Sequence, residues 1–171
     1  MTQIKAKDLI PIPDLMKMRR ILCVQAHPDD GEIGAGATVA RLIREGAAVI
    51  YATVTDGSAG TVDPSMDRSE LARIRRREGE EAAALLGVTE MIWLDFPDSG
   101  CLQLSAVREK IFETVRRVRP DLVMVMDPWL PYEAHTDHRV TGLAAAEAVL
   151  LAGYPHVCPR DQAAGLAPHG P

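Results

Sequence analysis

Two short runs concentrate the residues of this chain best suited to chemistry: His27-Pro28-Asp29-Asp30 and, far along the chain, His135-Thr136-Asp137-His138. An imidazole, a carboxylate and a second imidazole form a common ligand set for zinc, and such a set leaves coordination positions for water and substrate. His27, Asp30 and His138 are the expected metal ligands. Asp29 stands beside Asp30 and is placed to take a proton from a water attacking a carbonyl. His135 could then stabilise the oxygen on which charge develops or protonate a leaving amine. Asp137 could bond His135 and favour its charged form, or cap a helix. Taken singly, each of these residues also reads as an ordinary polar residue at a strand tip. Together they bring three imidazoles and three carboxylates into two loops, where a cation most easily relieves the repulsion among the acids.

Two runs so far apart need a scaffold that delivers both to one place. Ile21-Leu22-Cys23-Val24 reads as a strand ending at Gln25-Ala26, just before the first run. A helix follows from about Ile33 to Glu45, with Ile33, Ala37, Ala40 and Ile43 or Leu42 as its buried stripe and Gly46 as its stop. Ala48 to Thr53 is the next strand, and a polar segment from Thr55-Asp56-Gly57 to Asp67 is a candidate active-site loop. Glu70 to Leu86 reads as a charged helix closed by Gly87, with Leu71, Ile74, Ala82, Leu85 and Leu86 available to the core. Met91 to Leu94, Val107 to Val118, Leu122 to Met126 and Arg139 to Leu151 continue as strand, helix, strand and helix. This alternation predicts an α/β fold, a mostly parallel sheet covered by helices, with ligands gathered at the carboxyl ends of the strands. The domain is expected over 21–171, preceded by an arm at 1–20.

A net charge of −5 over 171 residues gives no long-range attraction for a phosphate backbone or an anionic membrane, so neither nucleic acid nor membrane is an expected partner. Cys23, Cys101 and Cys158 are few and far apart, which argues against a disulfide framework or a thiolate cage and for a reducing, cytoplasmic setting. A dinucleotide site at Gly31-Glu32-Ile33-Gly34-Ala35-Gly36 fails on two counts. The glycines lack the required order, and three neighbouring acids would face a pyrophosphate. Small residues there are instead expected to let the helix approach the sheet closely.

These residues resemble the PIG-L/LmbE family of zinc-dependent N-acetylglucosamine deacetylases. The resemblance runs through Ala26-His27-Pro28-Asp29-Asp30, Thr55-Asp56-Gly57 and His135-Thr136-Asp137-His138. It continues through Leu71-Ala72-Arg73-Ile74-Arg75-Arg76-Arg77-Glu78, Leu85-Leu86-Gly87-Val88 and Asp127-Pro128-Trp129-Leu130-Pro131-Tyr132-Glu133. The last run is similar to the branch that contains diacetylchitobiose deacetylases. The resemblance implies a Rossmann-like three-layer sandwich, with Zn2+ on His27, Asp30 and His138. Asp29 would be the catalytic aspartate and His135 would assist at the tetrahedral intermediate. The implied reaction removes acetate from N-acetylglucosamine-containing mono- or disaccharides, and the implied assembly is a homo-oligomer, a trimer or a trimer-based hexamer. Asp56, Arg75 and Asp98 are candidate polar contacts to the amino-sugar substrate, with Trp129 and Tyr132 as flat surfaces for its ring or as loop packing.

Gly31 stands where many relatives carry Glu, and Thr136 where many carry Pro; the expected effects are a looser loop and an altered presentation of His135. The segment Gly165-Leu166-Ala167-Pro168-His169 resembles one that precedes a further strand in the family, so the fold is expected to lack the family's carboxyl-terminal portion. Two other functions suit the same residues: an amidase acting on another N-acyl or sugar conjugate, and a noncatalytic, assembly-supporting homologue.

Overall fold

The structure, a computed structural model, describes residues 13–158 and 164–171. Residues 1–12 of the expected arm and 159–163 of the tail lie outside the described residues. Arg20–Gln25 forms β1 and Ala48–Thr55 forms β2, almost every residue of both being buried. Strands covered on both faces read as unbroken apolar runs, as these do. Glu90–Phe96 is β3 and Leu122–Met124 is β4; the latter pairs through only three residues, shorter than the expected Leu122 to Met126.

The strands lie in the order β3-β2-β1-β4, and every pairing is parallel. The helices α1 (Asp30–Arg44), α2 (Arg68–Leu86), α3 (Leu104–Val118) and α4 (Thr136–Leu151) connect and follow these strands. Alternate residues of the central strands feed two cores. Ile21, Cys23, Val49 and Tyr51 pack with Val39 and Leu42 of α1, while Leu22, Val24, Ile50 and Ala52 pack with Ile111 and Phe112 of α3 and Ala144 and Ala148 of α4. The result is the Rossmann-like three-layer sandwich. Among the described residues no helix is long and apolar enough to cross a membrane.

The chain steps outward from β1 to β2 and β3, then returns to place β4 on the other side of β1. Such a reversal opens a crevice at the carboxyl ends of the strands, where ligands bind in open α/β sheets. It also makes β1 and β4 neighbours, so the loops that leave them meet despite their separation in sequence.

The helices start earlier than their apolar spacing predicts. Asp67 caps α2 by accepting from the backbone N–H groups of Ser69 and Glu70, and α1 begins at Asp30 rather than near Ile33. The buried side of α1 therefore follows Gly31, Val39 and Leu42, and Ile33 is 81% exposed. Leu85 of α2 likewise faces out, at 90% exposure, with Leu71, Gly79 and Ala83 turned inward. An apolar residue in an Ala- and Gly-rich helix does not by itself set the phase; contact with the sheet does. Gly87 ends α2 in the left-handed conformation, φ 88°, as expected.

Gly31 tightens the turn into α1 rather than loosening it. Its N–H donates to Gln25 Oε1 at 2.8 Å, and Gln25 Nε2 donates to Thr53 Oγ1 at 2.8 Å, which ties β1, β2 and α1 together. A Cβ on Gly31 would lie 2.7 Å from that Gln25 oxygen and 3.0 Å from the Tyr51 ring. The expected close approach of small residues is real here but not at Gly34 or Gly36, where a Cβ would meet nothing. Gly31→Ala is expected to destabilise the fold by about 1–3 kcal/mol through overpacking and loss of the Gln25 bond. Thermal unfolding checks this; an unchanged melting temperature would show that the turn yields freely.

Candidate metal centre

His27 leaves the end of β1, and Asp30 opens α1 one turn later, its Oδ2 accepting the His27 backbone N–H at 2.7 Å. His138 arrives from the first turn of α4, beside the end of β4. These three side chains converge: His27 Nδ1 lies 3.1 Å from His138 Nε2 and 3.5 Å from Asp30 Oδ2, and His138 Nε2 lies 3.3 Å from Asp30 Oδ1. Donors about 2.0–2.1 Å from a tetrahedral zinc ion would stand about 3.3–3.4 Å apart, since the edge of a tetrahedron is about 1.63 times its centre-to-vertex length. The His27–His138 and His138–Asp30 separations come near that requirement, the two contacts to Asp30 being made by its two different oxygens. Lone pairs this close repel unless a proton or a cation sits among them.

The surroundings of His27 draw positive charge. Burial, the largest single influence, opposes charge on the ring, yet Asp30, Asp98 and Asp137 together raise its pKa above the ordinary histidine value. Asp30 behaves in the complementary way: burial works against its charge, but His27 and His138 hold its carboxyl below the usual range. His27 Nε2 is buried and makes no hydrogen bond, although Asp98 Oδ1 and Asp137 Oδ2 stand 3.3 and 3.6 Å away. A second cluster of donors thus gathers on the other edge of the same ring, and His135 completes a third with His27 and His138. These groups could hold a metal ion. Burial, with Glu32 and Asp30 nearby, pushes the Cys23 thiol up to about 12, and Cys23 belongs to neither of these last two groups of donors.

Asp98 and Asp137 face His27 Nε2 as nearby charges rather than as hydrogen-bond acceptors. Asp98 is buried, and its Oδ2 accepts the Ala59 N–H at 2.9 Å; Asp137, also buried, accepts the Ser99 N–H at 2.9 Å. The expected bond from the Asp137 carboxylate to His135 is not the contact found. His135 itself caps α4, its Nδ1 accepting the Asp137 backbone N–H at 3.3 Å. The neutral His135 ring then carries its proton on Nε2 and can donate it.

The cleft above this cluster has a volume of about 430 Å³ and is lined by Asp29, Arg75, Asp98 and His135 together with the three convergent residues. Arg75 Nη2 donates to Asp29 Oδ2 at 2.7 Å, so α2 holds the aspartate at the mouth of α1. Of the other candidate substrate residues, Asp98 lies beside His27 and Asp56 serves the loops: it accepts the backbone N–H groups of Ser58 and Asp98. Neither Trp129 nor Tyr132 lines the cleft, and they are 69% and 93% exposed. Sequence spacing missed Glu133, which lies between them and the histidines. Its Oε2 is 2.9 Å from His138 Nδ1, and the bonds from His138 and the His135 N–H hold its carboxyl below the usual range. An acid just ahead of a His-x-x-His run was the available signal.

The family profile of GlcNAc-PI de-N-acetylases, PIG-L, matches residues 22–149. The chain belongs to the PIG-L family. It is 43% identical over 152 residues to a diacetylchitobiose deacetylase of Thermococcus kodakarensis, covering 89% of this chain and 57% of that protein. It is 35% identical over 176 residues to a 1D-myo-inositol 2-acetamido-2-deoxy-alpha-D-glucopyranoside deacetylase of Kineococcus radiotolerans, covering 85% and 48%. Among solved structures, the N,N'-diacetylchitobiose deacetylase of Pyrococcus horikoshii, complexed with its inhibitor MPG, superposes with a TM-score of 0.87 at 42% identity, covering 91% of this chain and 58% of that one. The chain therefore spans about half the length of these three deacetylases.

Proposed function

We propose that this PIG-L chain is a zinc-dependent N-deacetylase that releases acetate from N-acetylglucosamine-containing mono- or disaccharides such as diacetylchitobiose. The observation that carries the reading is the convergence of His27 Nδ1, His138 Nε2 and Asp30 at 3.1–3.5 Å on the floor of a cleft also lined by Asp29 and His135. A nitrogen and carboxylate donor set suits zinc; His27, Asp30 and His138 would hold it, and it would supply a Lewis acid for activating water near neutral pH and polarising an amide carbonyl. The likeness to the diacetylchitobiose deacetylases of Thermococcus kodakarensis and Pyrococcus horikoshii supports the acetylated amino sugar as substrate.

The chain's own residues divide the remaining work. Asp98 and Asp137 draw positive charge to His27 from the side away from Nδ1. The Asp29 carboxylate takes the proton of the attacking water, with Arg75 keeping it directed along the cleft. His135 donates its Nε2–H as a hydrogen bond to the amide oxygen as negative charge builds there, and the proton that Asp29 took from the water passes to the departing amine, which leaves Asp29 ionised for the next turnover. Arg75 also presents the cleft with a cation for sugar hydroxyls. A homo-oligomer, trimer or hexamer, suits a sheet in which β4 pairs through three residues; light scattering counts the subunits.

Acetate release from N-acetylglucosamine and diacetylchitobiose, measured before and after chelation, tests the function. The expected result is activity that a chelator abolishes and added zinc restores. Hydrolysis of other N-acyl conjugates but not of these sugars would favour the amidase reading, and zinc-loaded, folded protein that released no acetate from any of them would favour a noncatalytic role.

A further inference from the structure

Glu133 is the carboxylate that touches both histidines of the second run. Its Oε1 accepts the His135 backbone N–H at 2.8 Å, and its Oε2 lies 2.9 Å from His138 Nδ1. The side chain is only 19% exposed, and two consecutive turns bring it there, Leu130 N–H donating to Asp127 O and Glu133 N–H donating to Leu130 O. The exposed Trp129 and Tyr132 belong to these turns, and Glu133 is their member that reaches the site.

A carboxylate can only accept, so the contact with His138 places a proton on Nδ1. In a neutral imidazole the other nitrogen then keeps its lone pair, and Nε2 is the atom 3.1 Å from His27 Nδ1 and 3.3 Å from Asp30 Oδ1. We propose that Glu133 is a positioning residue that sets the tautomer of His138 and, through its second oxygen, ties His138 to the main chain at His135, so that the metal ligand and the helper histidine are placed as one unit. The metal-binding half of this inference rests on the reading of His138 as a ligand; the tautomer half stands on the hydrogen bond alone. Asp98 and Asp137 stand behind His27 without hydrogen-bonding its Nε2, so each imidazole of the convergent trio has a carboxylate at its back.

The test compares the full chain with Glu133→Ala and Glu133→Gln. Long-range ¹H–¹⁵N correlation spectra of metal-free protein, at a pH where imidazole is neutral, are expected to show His138 protonated on Nδ1 in the parent and shifted toward Nε2 in E133A. Zinc competition against a chromophoric chelator is expected to show E133A weakened about 10–100-fold, with E133Q between the two because its amide offers one acceptor for two donors. Circular dichroism establishes that each variant is folded, and should E133A unfold, E133Q carries both measurements. A parent His138 protonated on Nε2, or zinc affinity in a folded Glu133 variant equal to that of the parent, would overturn the proposal. A parent that binds no zinc, yet shows the Nδ1 tautomer that E133A loses, would overturn the metal reading and leave the positioning role standing.

Discussion

Replacing Asp29 by Asn is expected to lower amide hydrolysis roughly 10²-fold or more while zinc content and fold stay at the level of the parent. Asn keeps the size of the side chain and an oxygen for Arg75, which now donates to Asp29 Oδ2 at 2.7 Å. It cannot accept a proton from water. Asp29 is not one of the three convergent donors, so removing its charge leaves their spacing in place. His27→Ala should behave differently, because it deletes one corner of that trio and takes zinc affinity and activity down together. Elemental analysis and acetate release on the two variants at matched zinc separate a base from a ligand. A fully metallated D29N working at the parent rate would show that Asp29 is not the base, and His135 would then have to serve as both base and acid.

The second large effect lies away from the chemistry. Arg116 of α3 is 1% exposed, and its guanidinium donates to the carbonyls of Ala152, Tyr154, Val157 and Cys158 at 2.9–3.2 Å, pinning the chain that leaves α4. Arg116→Met fills similar space but leaves those carbonyls without their donor, at an expected cost of about 3–5 kcal/mol. For a domain of this size that lowers the melting temperature by about 10 °C. Arg116→Lys, which keeps the charge but loses the planar fork, should fall between the two. Zinc affinity measured below the melting transition should stay near that of the parent, because Arg116 does not line the cleft. A Met variant as stable as the parent would mean that water satisfies the carbonyls and that the arginine is not what anchors this segment.

The alternation of strands and helices was legible because local patterns carry it: unbroken apolar runs in β1 and β2, and Gly87 at the end of α2. Helix starts were less legible. The first turn of a helix is held by caps such as Asp67 and His135, and these lie upstream of the apolar repeat that signals the helix. The facing of α1 was misjudged for a related reason. Ala- and Gly-rich helices offer several plausible stripes, and contact with β1 and β2 chose the one through Val39 and Leu42.

For the site, residue types and spacing alone pointed to His27, Asp30 and His138 as possible donors and to Asp29 and His135 as their neighbours. What residue types cannot express is distance between points remote in the chain. Only the return of β4 to the side of β1 brings His138 within 3.1 Å of His27, and only the ends of β2 and β3 place Asp56 and Asp98 in the loops around that pair. The places of Asp98 and Asp137, and the part played by Glu133, were hidden for the same physical reason. Glu133 acts through the directions of its two hydrogen bonds and Asp98 and Asp137 through their distance from His27, and both are properties of the folded backbone, decided when the strands take their order and not before.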